Sequence, residues 1–277
     1  MQPALMQATS RESLATVRVT LDRLVDTLDT QATLQLADDL FAVASLLDSE
    51  IGLRRTLGDA ASPASARAEL LKRLLSGKVG DNAIDVSTSA AAQPWSVPGD
   101  LVDAVVEAAR QSALAGAEKE QLIDRVEDEL FRFARILEAN GDLEQALGDA
   151  NKPVDTRVKL LDDVLVDKVS PVTKQLVTKA VSTPRGQSVF GGVESLVELA
   201  AKRRSRSVAI VTSPVPLTAE QEQRLAATLR KVYGREIAIS VDVDRSVLGG
   251  LRVQVGDDLI DGTVANRLSD AQRRFAG

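Results

Sequence analysis

The chain has no cysteine and no histidine among its 277 residues. A thiolate nucleophile, a Ser-His-Asp triad, a structural zinc site and a haem ligand are therefore all excluded. Only carboxylate, lysine, tyrosine and hydroxyl chemistry is left. Aromatics are scarce at 3% (five Phe, one Trp, one Tyr), few for an apolar ligand pocket or a base-stacking surface. No stretch approaches the ~20 apolar residues that a membrane-spanning helix needs. The segment 1–11 has no basic region followed by an apolar core, so no leader and no direct membrane insertion are expected. Excess positive charge is also lacking: 34 Lys and Arg stand against 40 Asp and Glu, a formal charge of -6. That is the wrong sign for a chain whose main business is phosphate backbones, and no nucleic acid is expected as a partner.

What is present is ordinary globular material, 44% hydrophobic and 27% charged. This composition sets aside collagen-like, disordered and disulfide-scaffold classes. The length suits more than one domain.

An internal repeat organises the first two thirds. Leu57-Gly58-Asp59-Ala60 recurs as Leu147-Gly148-Asp149-Ala150, an offset of 90 residues. In the same frame Leu53 meets Leu143, Pro63 meets Pro153, Arg67 meets Arg157, Leu70-Leu71 meet Leu160-Leu161, and Lys78-Val79 meet Lys168-Val169. Upstream, Leu36, Leu40, Val43 and Leu47 pair with Val126, Leu130, Phe133 and Leu137. Their spacing puts them on one face of an amphipathic helix in each copy. Gly58 and Gly148 are expected to close that part of each unit in the left-handed conformation, and Pro63 and Pro153 to open the next helix. Two copies point to duplication rather than a solenoid, hence two tandem bundles, 1–100 and 101–206. Between them, 86–99 is rich in Ser, Ala, Pro and Gly, holds Trp95 and reads as a loop. A helix over 101–119 follows, and 101–109 also resembles 192–200; this helix is expected to close the first bundle and open the second, undivided between them.

After the basic run 202–206 the period changes to alternation. Val208, Ile210 and Thr212 read as one face of a strand, Ile237, Ile239, Val241 and Val243 as a second, and Leu251, Val253 and Val255 as a third. Gly256-Asp257-Asp258 turns into Leu259-Ile260, giving a hairpin. Thr218 with Gln221 is a capping-box signature, followed by a helix carrying Leu225, Leu229 and Val232 and ended by Gly234. Val264, Leu268, Ala271 and Phe275 form a last helical stripe. The fold class is therefore α+β: two all-α bundles, then a small α/β domain over 207–277.

The strongest catalytic candidate is the acidic set Asp242, Asp244, Asp257, Asp258 and Asp261, since carboxylates gathered at strand ends build magnesium sites. Turn chemistry explains the same residues, because Asp hydrogen-bonds its own backbone where chains reverse. Gly77-Lys78 falls short of a phosphate loop, with Lys72 and Val79 where Gly and Ser or Thr are required. No Gly-x-Gly-x-x-Gly occurs. The basic run 202–206 lacks neighbouring aromatics and reads as a solvated linker. No catalytic residue, cofactor-binding residue or metal ligand is expected.

One stretch resembles a known family. Val241-Asp-Val-Asp-Arg-Ser-Val-Leu-Gly-Gly-Leu-Arg-Val-Gln-Val-Gly-Asp-Asp-Leu-Ile-Asp-Gly-Thr-Val264, with Asn266-Arg267-Leu268 after it, resembles the signature of the delta subunit of F-type ATP synthase. The mitochondrial relative in that family is the oligomycin-sensitivity-conferring protein. The matching positions are Asp244, Val247, Gly249, Gly250, Gly256, Asp257, Ile260, Asp261, Gly262, Arg267 and Leu268. The helix around 110–119, then Leu147-Gly148, Pro153 and Leu160-Leu161, is similar to the family's helical bundle in the right order. The resemblance covers roughly 101–277; the first helical unit departs from it, since most delta subunits carry one bundle. The chain is accordingly expected as an unfused long form. The glycines also have a physical reading as places of close backbone approach.

The resemblance implies a non-catalytic stator joint without cofactor, held at the cytoplasmic side of the cell membrane through its complex. It implies two partners, the N-terminal segments of the alpha subunits for the helical part and the C-terminal ends of the stalk b subunits for the α/β domain. Two rivals stand beside it, a generic helical adaptor and a metal-dependent hydrolase using the C-terminal aspartates.

Overall fold

The computed structural model describes residues 6–263 except 167, 207, 234–236, 248 and 257. The last helical stripe, Gly234, Asp257, Arg267 and Leu268 therefore lie outside the described residues. The chain divides into two compact units, residues 1–200 and 201–277.

The first unit is helical. Its elements are α1 (Ala8–Thr27), α2 (Thr30–Ser49), α3 (Ile51–Gly58), α4 (Ala64–Leu75), α5 (Asp81–Ala92), α6 (Pro98–Lys119), α7 (Ile123–Ala139), α8 (Gly141–Gly148), α9 (Val154–Leu165), α10 (Pro171–Ser182) and α11 (Val189–Arg206). The offset of 90 seen in the sequence carries α3 onto α8, α4 onto α9 and α5 onto α10 end for end. It also carries the start of α1 onto the start of α6, and one further residue carries α6 onto α11. So α6 is the sixth helix of the first copy and the first helix of the second. The stripes Leu36, Leu40, Val43, Leu47 and Val126, Leu130, Phe133, Leu137 are all buried.

This sharing corrects the division at residue 100. The helix α6 runs across that position, and one hydrophobic core extends from Met6 to Ala200. The reason is its composition. It is buried nearly all round, with Leu101, Val105 and Leu114 as bulk and Ala104, Ala108, Ala109, Ala113 and Ala117 as small residues that let helices approach from several sides. Gly116 marks the closest approach, because a Cβ there would stand 2.3 Å from Leu34 Cδ2 on α2.

Three local readings also change. The segment 86–99 is helical as far as Ala92, since Ser87, Ala90 and Ala91 are small enough to bury against neighbouring helices. Trp95 is buried behind it, donating Nε1–H to the Ala90 carbonyl at 2.9 Å. Gly58 and Gly148 end α3 and α8 without positive φ; left-handed residues of the helical unit include Gly77 (φ 75°), after α4, and Gln121 (φ 59°), after α6. What Gly58 supplies is room, as a Cβ would lie 2.8 Å from Pro98 Cα at the start of α6. The basic run at 202–206 is the last turn of α11, where cations suit the negative end of the helix.

The second unit holds β1 (Val208–Ser213), α12 (Ala219–Tyr233), β2 (Ala238–Val243), β3 (Arg252–Val255) and β4 (Asp258–Asp261). The sheet order is β2-β1-β3-β4, with β1 and β2 parallel, β3 antiparallel to β1 and the β3-β4 hairpin as expected. Thr218 and Gln221 close a full capping box on α12, the backbone N–H of each donating to the other's side chain at 2.8 and 3.3 Å. The core of this unit is Ala209, Val211, Leu229, Ile237, Val253 and Val255. In β1 Val208, Ile210 and Thr212 share one face as expected, and it is the outer one: Ile210 is exposed, while Ala209 and Val211 are buried.

Candidate interaction faces and the C-terminal signature

Each helical copy is fastened by one buried arginine and one carboxylate at the same repeat positions. Arg67 on α4 donates to the carbonyls of Ala91 (2.9 Å), Ala92 (2.9 Å) and Gln93 (3.1 Å) at the C-terminal end of α5. It also donates to Asp59 (2.8 Å) and Ser62 (3.0 Å) in the loop before its own helix. Its counterpart Arg157 reaches Val181 at 2.8 Å and Leu147 at 3.4 Å, and its Nε is buried without a partner. These guanidiniums satisfy helix-end carbonyls that would otherwise be orphaned. At the other end of the same helices, Asp39 accepts the Gly80 N–H at 2.8 Å, while Glu129 accepts the Ser170 N–H at 2.8 Å and the Thr173 hydroxyl at 2.7 Å. Burial works against the charge on Glu129. Hydrogen bonds from Thr173, the Ser170 backbone, Arg125 and the Ser170 hydroxyl outweigh it and hold the carboxyl below its ordinary value.

Where the copies meet, α2 lies against both α6 and α10. The Lys179 ammonium stands 5.4 Å from the centre of the Phe41 ring. Gln175 donates to Asp38, and Arg185 bridges Asp48 on α2 to Asp103 on α6. Arg185 also donates to the Gly99 carbonyl at 3.2 Å. A small crevice opens in this seam, floored by Phe41, Ala44, Val102 and Val106 and edged by Arg110, Lys179 and Arg185. Burial pulls the Arg110 guanidinium below its ordinary value, against the opposing effect of Glu107 and Asp103. The sequence repeat passed over this seam, yet a signal exists. Phe41 lies beside the stripe of Leu36, Leu40, Val43 and Leu47, so α2 has a second apolar edge. The counterpart of Phe41 is Phe131, which is 52% exposed, so the two copies bury the same position differently.

The C-terminal signature is a set of turns and close contacts. Gly250 has φ 85°, and a Cβ on it would stand 2.4 Å from the Gly262 carbonyl oxygen and 2.9 Å from Thr263 Cα. Gly262 N–H in turn donates to the Leu251 carbonyl at 2.9 Å. Gly249 (φ 129°) and Gly256 (φ 57°) are in the left-handed half of conformational space. Asp244 fixes the turn after β2. Its N–H donates to Ser213 and its Oδ1 accepts the Ser246 N–H at 2.9 Å, while the Val247 N–H donates to its carbonyl. Asp261 accepts both the N–H and the hydroxyl of Thr263, at 3.0 and 2.6 Å, and pairs with Arg252 at 3.3 Å. These bonds hold both carboxyls below their ordinary values, the Ser246 hydroxyl leading for Asp244 and the Thr263 hydroxyl for Asp261. Ile260 pairs with Val253 across the hairpin.

The aspartates are not gathered. Asp242 lies on β2 and Asp258 on β4, the two edges of the sheet, three strand spacings or about 14 Å apart. Among the described residues no group of three acidic side chains is placed to hold a metal ion. The hydrolase rival has no site in the described fold.

Comparison with known proteins fits this architecture. The family model described as ATP synthase delta (OSCP) subunit matches residues 110–275, from within α6 onward. The ATP synthase subunit delta of Streptomyces avermitilis is 48% identical over 96% of this chain and 97% of its own length. That of Streptomyces griseus is 45% identical over 98% of this chain and its whole length, and that of Salinispora arenicola 44% over 97% and 98%. These relatives therefore match the first helical copy as well as the second. A chain of the Toxoplasma gondii mitochondrial ATP synthase hexamer aligns with 61% of this chain and 96% of its own, at 20% identity and a TM-score of 0.34. With its signature turns and near full-length relatives, the chain belongs to the ATP synthase delta (OSCP) subunit family.

Proposed function

We propose that this chain is the joint at the head of the ATP synthase peripheral stalk, gripping the alpha/beta catalytic head with its helical unit and the C-terminal ends of the stalk b subunits with its α/β unit. The family is one of structural stator subunits, not catalysts. The observation that carries the reading is the ordered match along almost the whole chain to named delta subunits. The division into two compact units supports a joint with one unit for each partner. Among the described residues no helix is long and apolar enough to cross a membrane. Attachment at the cytoplasmic side of the membrane would then be indirect, through the stalk.

Within the helical unit, the second copy takes the alpha segment and the first acts as a brace, clamped to it by the shared α6 and by α2 against α10. Holding torque needs slow dissociation rather than catalytic geometry, and a single core suits that demand. The test is retention of the separately expressed catalytic head and of soluble stalk b subunit, repeated after removal of residues 207–277. Retention of both, with loss of only the stalk after truncation, supports the joint and assigns its ends. Retention of neither returns the chain to the adaptor reading.

A further inference from the structure

The two copies share one face and use it differently. Residues 33–49 of α2 recur, at the offset of 90, as residues 123–139, which are α7. In the first copy this face has an occupant. The helix α10 lies on it, with the Lys179 ammonium 5.4 Å from the centre of the Phe41 ring and Gln175 donating to Asp38, while Arg185 just beyond α10 reaches Asp48. In the second copy the same positions are Phe131, Asp128 and Glu138. Phe41 is buried, whereas Phe131 is the one exposed aromatic side chain among the described residues. The cation over its ring comes from its own helix: Arg135, one turn on, lies 5.9 Å from the ring centre. Arg132 and Arg135 also pair with Asp128 and Glu138, and all four of these side chains are more than half exposed. Ion pairs so exposed contribute little and exchange readily for a better partner.

Charge limits what that partner can be. In the first copy α2 carries three aspartates and no cation, and the helix seated on it, α10, carries two lysines and no carboxylate. The helix α7 carries five carboxylates against three arginines, so it too is net negative. Arg110 of α6, which edges the seam beside Phe41, has Ala201 as its counterpart on α11, so no cation comes from that position. Asp124 and Glu127 replace Leu34 and Ala37, and Leu34 is the residue packed against Gly116 of α6. Acids at these two positions resist burial under a close apolar helix such as α6, and hence under a third copy of the unit. We infer that the α7 face around Phe131 is a docking site for a cationic amphipathic helix of a partner protein, seated as α10 is seated on α2. A basic side chain of that helix lies over the Phe131 ring, and basic or amide groups replace Arg132 and Arg135 at Asp128 and Glu138. On α10 the contacting residues Gln175 and Lys179 are four apart, one turn of helix, so the occupant carries Lys, Arg or Gln at that spacing. The inference rests on the joint reading only for the source of the helix, another subunit of the same complex.

The test uses the full chain in the assembled complex. Because the chain lacks cysteine, Arg132→Cys accepts a single benzophenone label. Irradiation should join it to a helical segment of another subunit with basic or amide residues four apart, read by mass spectrometry, while the same label at Arg73→Cys on α4 should not reach that segment. Phe131→Ala and Asp128→Lys should each speed release of the chain from the complex about tenfold. Both should leave the urea midpoint of the free chain nearly unchanged, since both side chains are exposed. Arg135→Ala, which clears the ring, should leave release unchanged or slow it. Coupling only within this chain, residues 207–277 included, or to a second copy of it, overturns the inference, as does coupling to a segment without such basic or amide residues. Unchanged release of Phe131→Ala from a normally formed complex also overturns it while leaving the joint reading intact. Failure of the unlabelled, unsubstituted chain to enter the complex overturns the joint reading, and this inference with it.

Discussion

Removing the guanidinium of Arg67 tests the claim that each copy is fastened through a buried helix end. Arg67 donates five hydrogen bonds, to Asp59, Ser62, Ala91, Ala92 and Gln93. Only the bond to Ala91 is fully buried; the other four are partly exposed. In Arg67→Ala the Ala91 carbonyl loses its partner out of reach of water, a cost of about 1–3 kcal/mol, and each of the others regains water at a net loss of about 0.5 kcal/mol. The sum is about 3–5 kcal/mol. For a unit of this size about 2–4 °C is lost per kcal/mol, so the thermal midpoint should fall by roughly 10 °C.

Arg157→Ala is the internal reference. Arg157 makes two such bonds, one of them long, and its buried Nε is already without a partner. Both of those bonds are fully buried, so truncation orphans two carbonyls at about 1–3 kcal/mol each, while removing the unsatisfied Nε returns a penalty of about the same size as one of them; about 1–3 kcal/mol is expected. Urea unfolding followed by circular dichroism at 222 nm measures both variants in the full chain. A cost for Arg157→Ala equal to or above that for Arg67→Ala would refute the assignment of the difference to hydrogen-bond satisfaction.

Other substitutions probe the remaining contacts. Gly58→Ala should cost about 1–3 kcal/mol, because its Cβ would stand 2.8 Å from backbone at Pro98. Gly148→Ala, with its nearest neighbour at 3.6 Å, should be nearly neutral, and denaturant midpoints of the pair measure the contrast. Gly250→Ala should unfold or loosen the α/β unit, since it combines φ 85° with a clash against Gly262. Amide exchange should rise in β3 and β4 while the helical unit keeps its protection. Glu129 has a folded-state pKa below the unfolded one, so its contribution to stability is complete above the ordinary glutamate value and drains away as pH falls through the folded value. Glu129→Gln should accordingly destabilise the chain at neutral pH, and the effect should shrink steadily as pH falls below the ordinary glutamate value, as read from urea midpoints across an acid pH series.

Much of the fold was legible because repetition doubled the signal. The frame from Leu36 to Val79 and from Val126 to Val169 located the helices, since each apolar stripe was read twice. The hairpin of β3 and β4 and the capping box of Thr218 with Gln221 were also legible, because both are local patterns with few alternatives. Ala-rich packing was not. The segment through Ser87, Ala90 and Ala91 has the composition of a loop, yet small residues are what a helix needs to lie close to its neighbours. The same blindness hid which face of β1 is buried, since Ala209 and Val211 lie inside while the bulkier Ile210 is exposed. Charges were hardest of all. Nothing in the spacing of Asp48, Asp103 and Arg185 announces that they meet, because their contacts cross from one copy to the other.

That crossing follows from α6. A helix that ends one bundle and begins the next cannot present the same environment to both, so its polar residues became specialised to their neighbours. Asp100 accepts the Ser10 hydroxyl at 2.6 Å from α1, Glu107 takes Arg18 from the same helix, and Asp103 takes Arg185 from the second copy. Three buried or nearly buried carboxylates on one helix are costly unless each is paired, and each pairing ties α6 to a different part of the unit. Apolar helix contacts resist separation but allow sliding; directional bonds to three carboxylates fix the rotation and height of α6 as well. A joint under torque is loaded in that sliding mode. The doubled helical unit is thus better understood as one braced body, held at its shared helix, than as two bundles on a string.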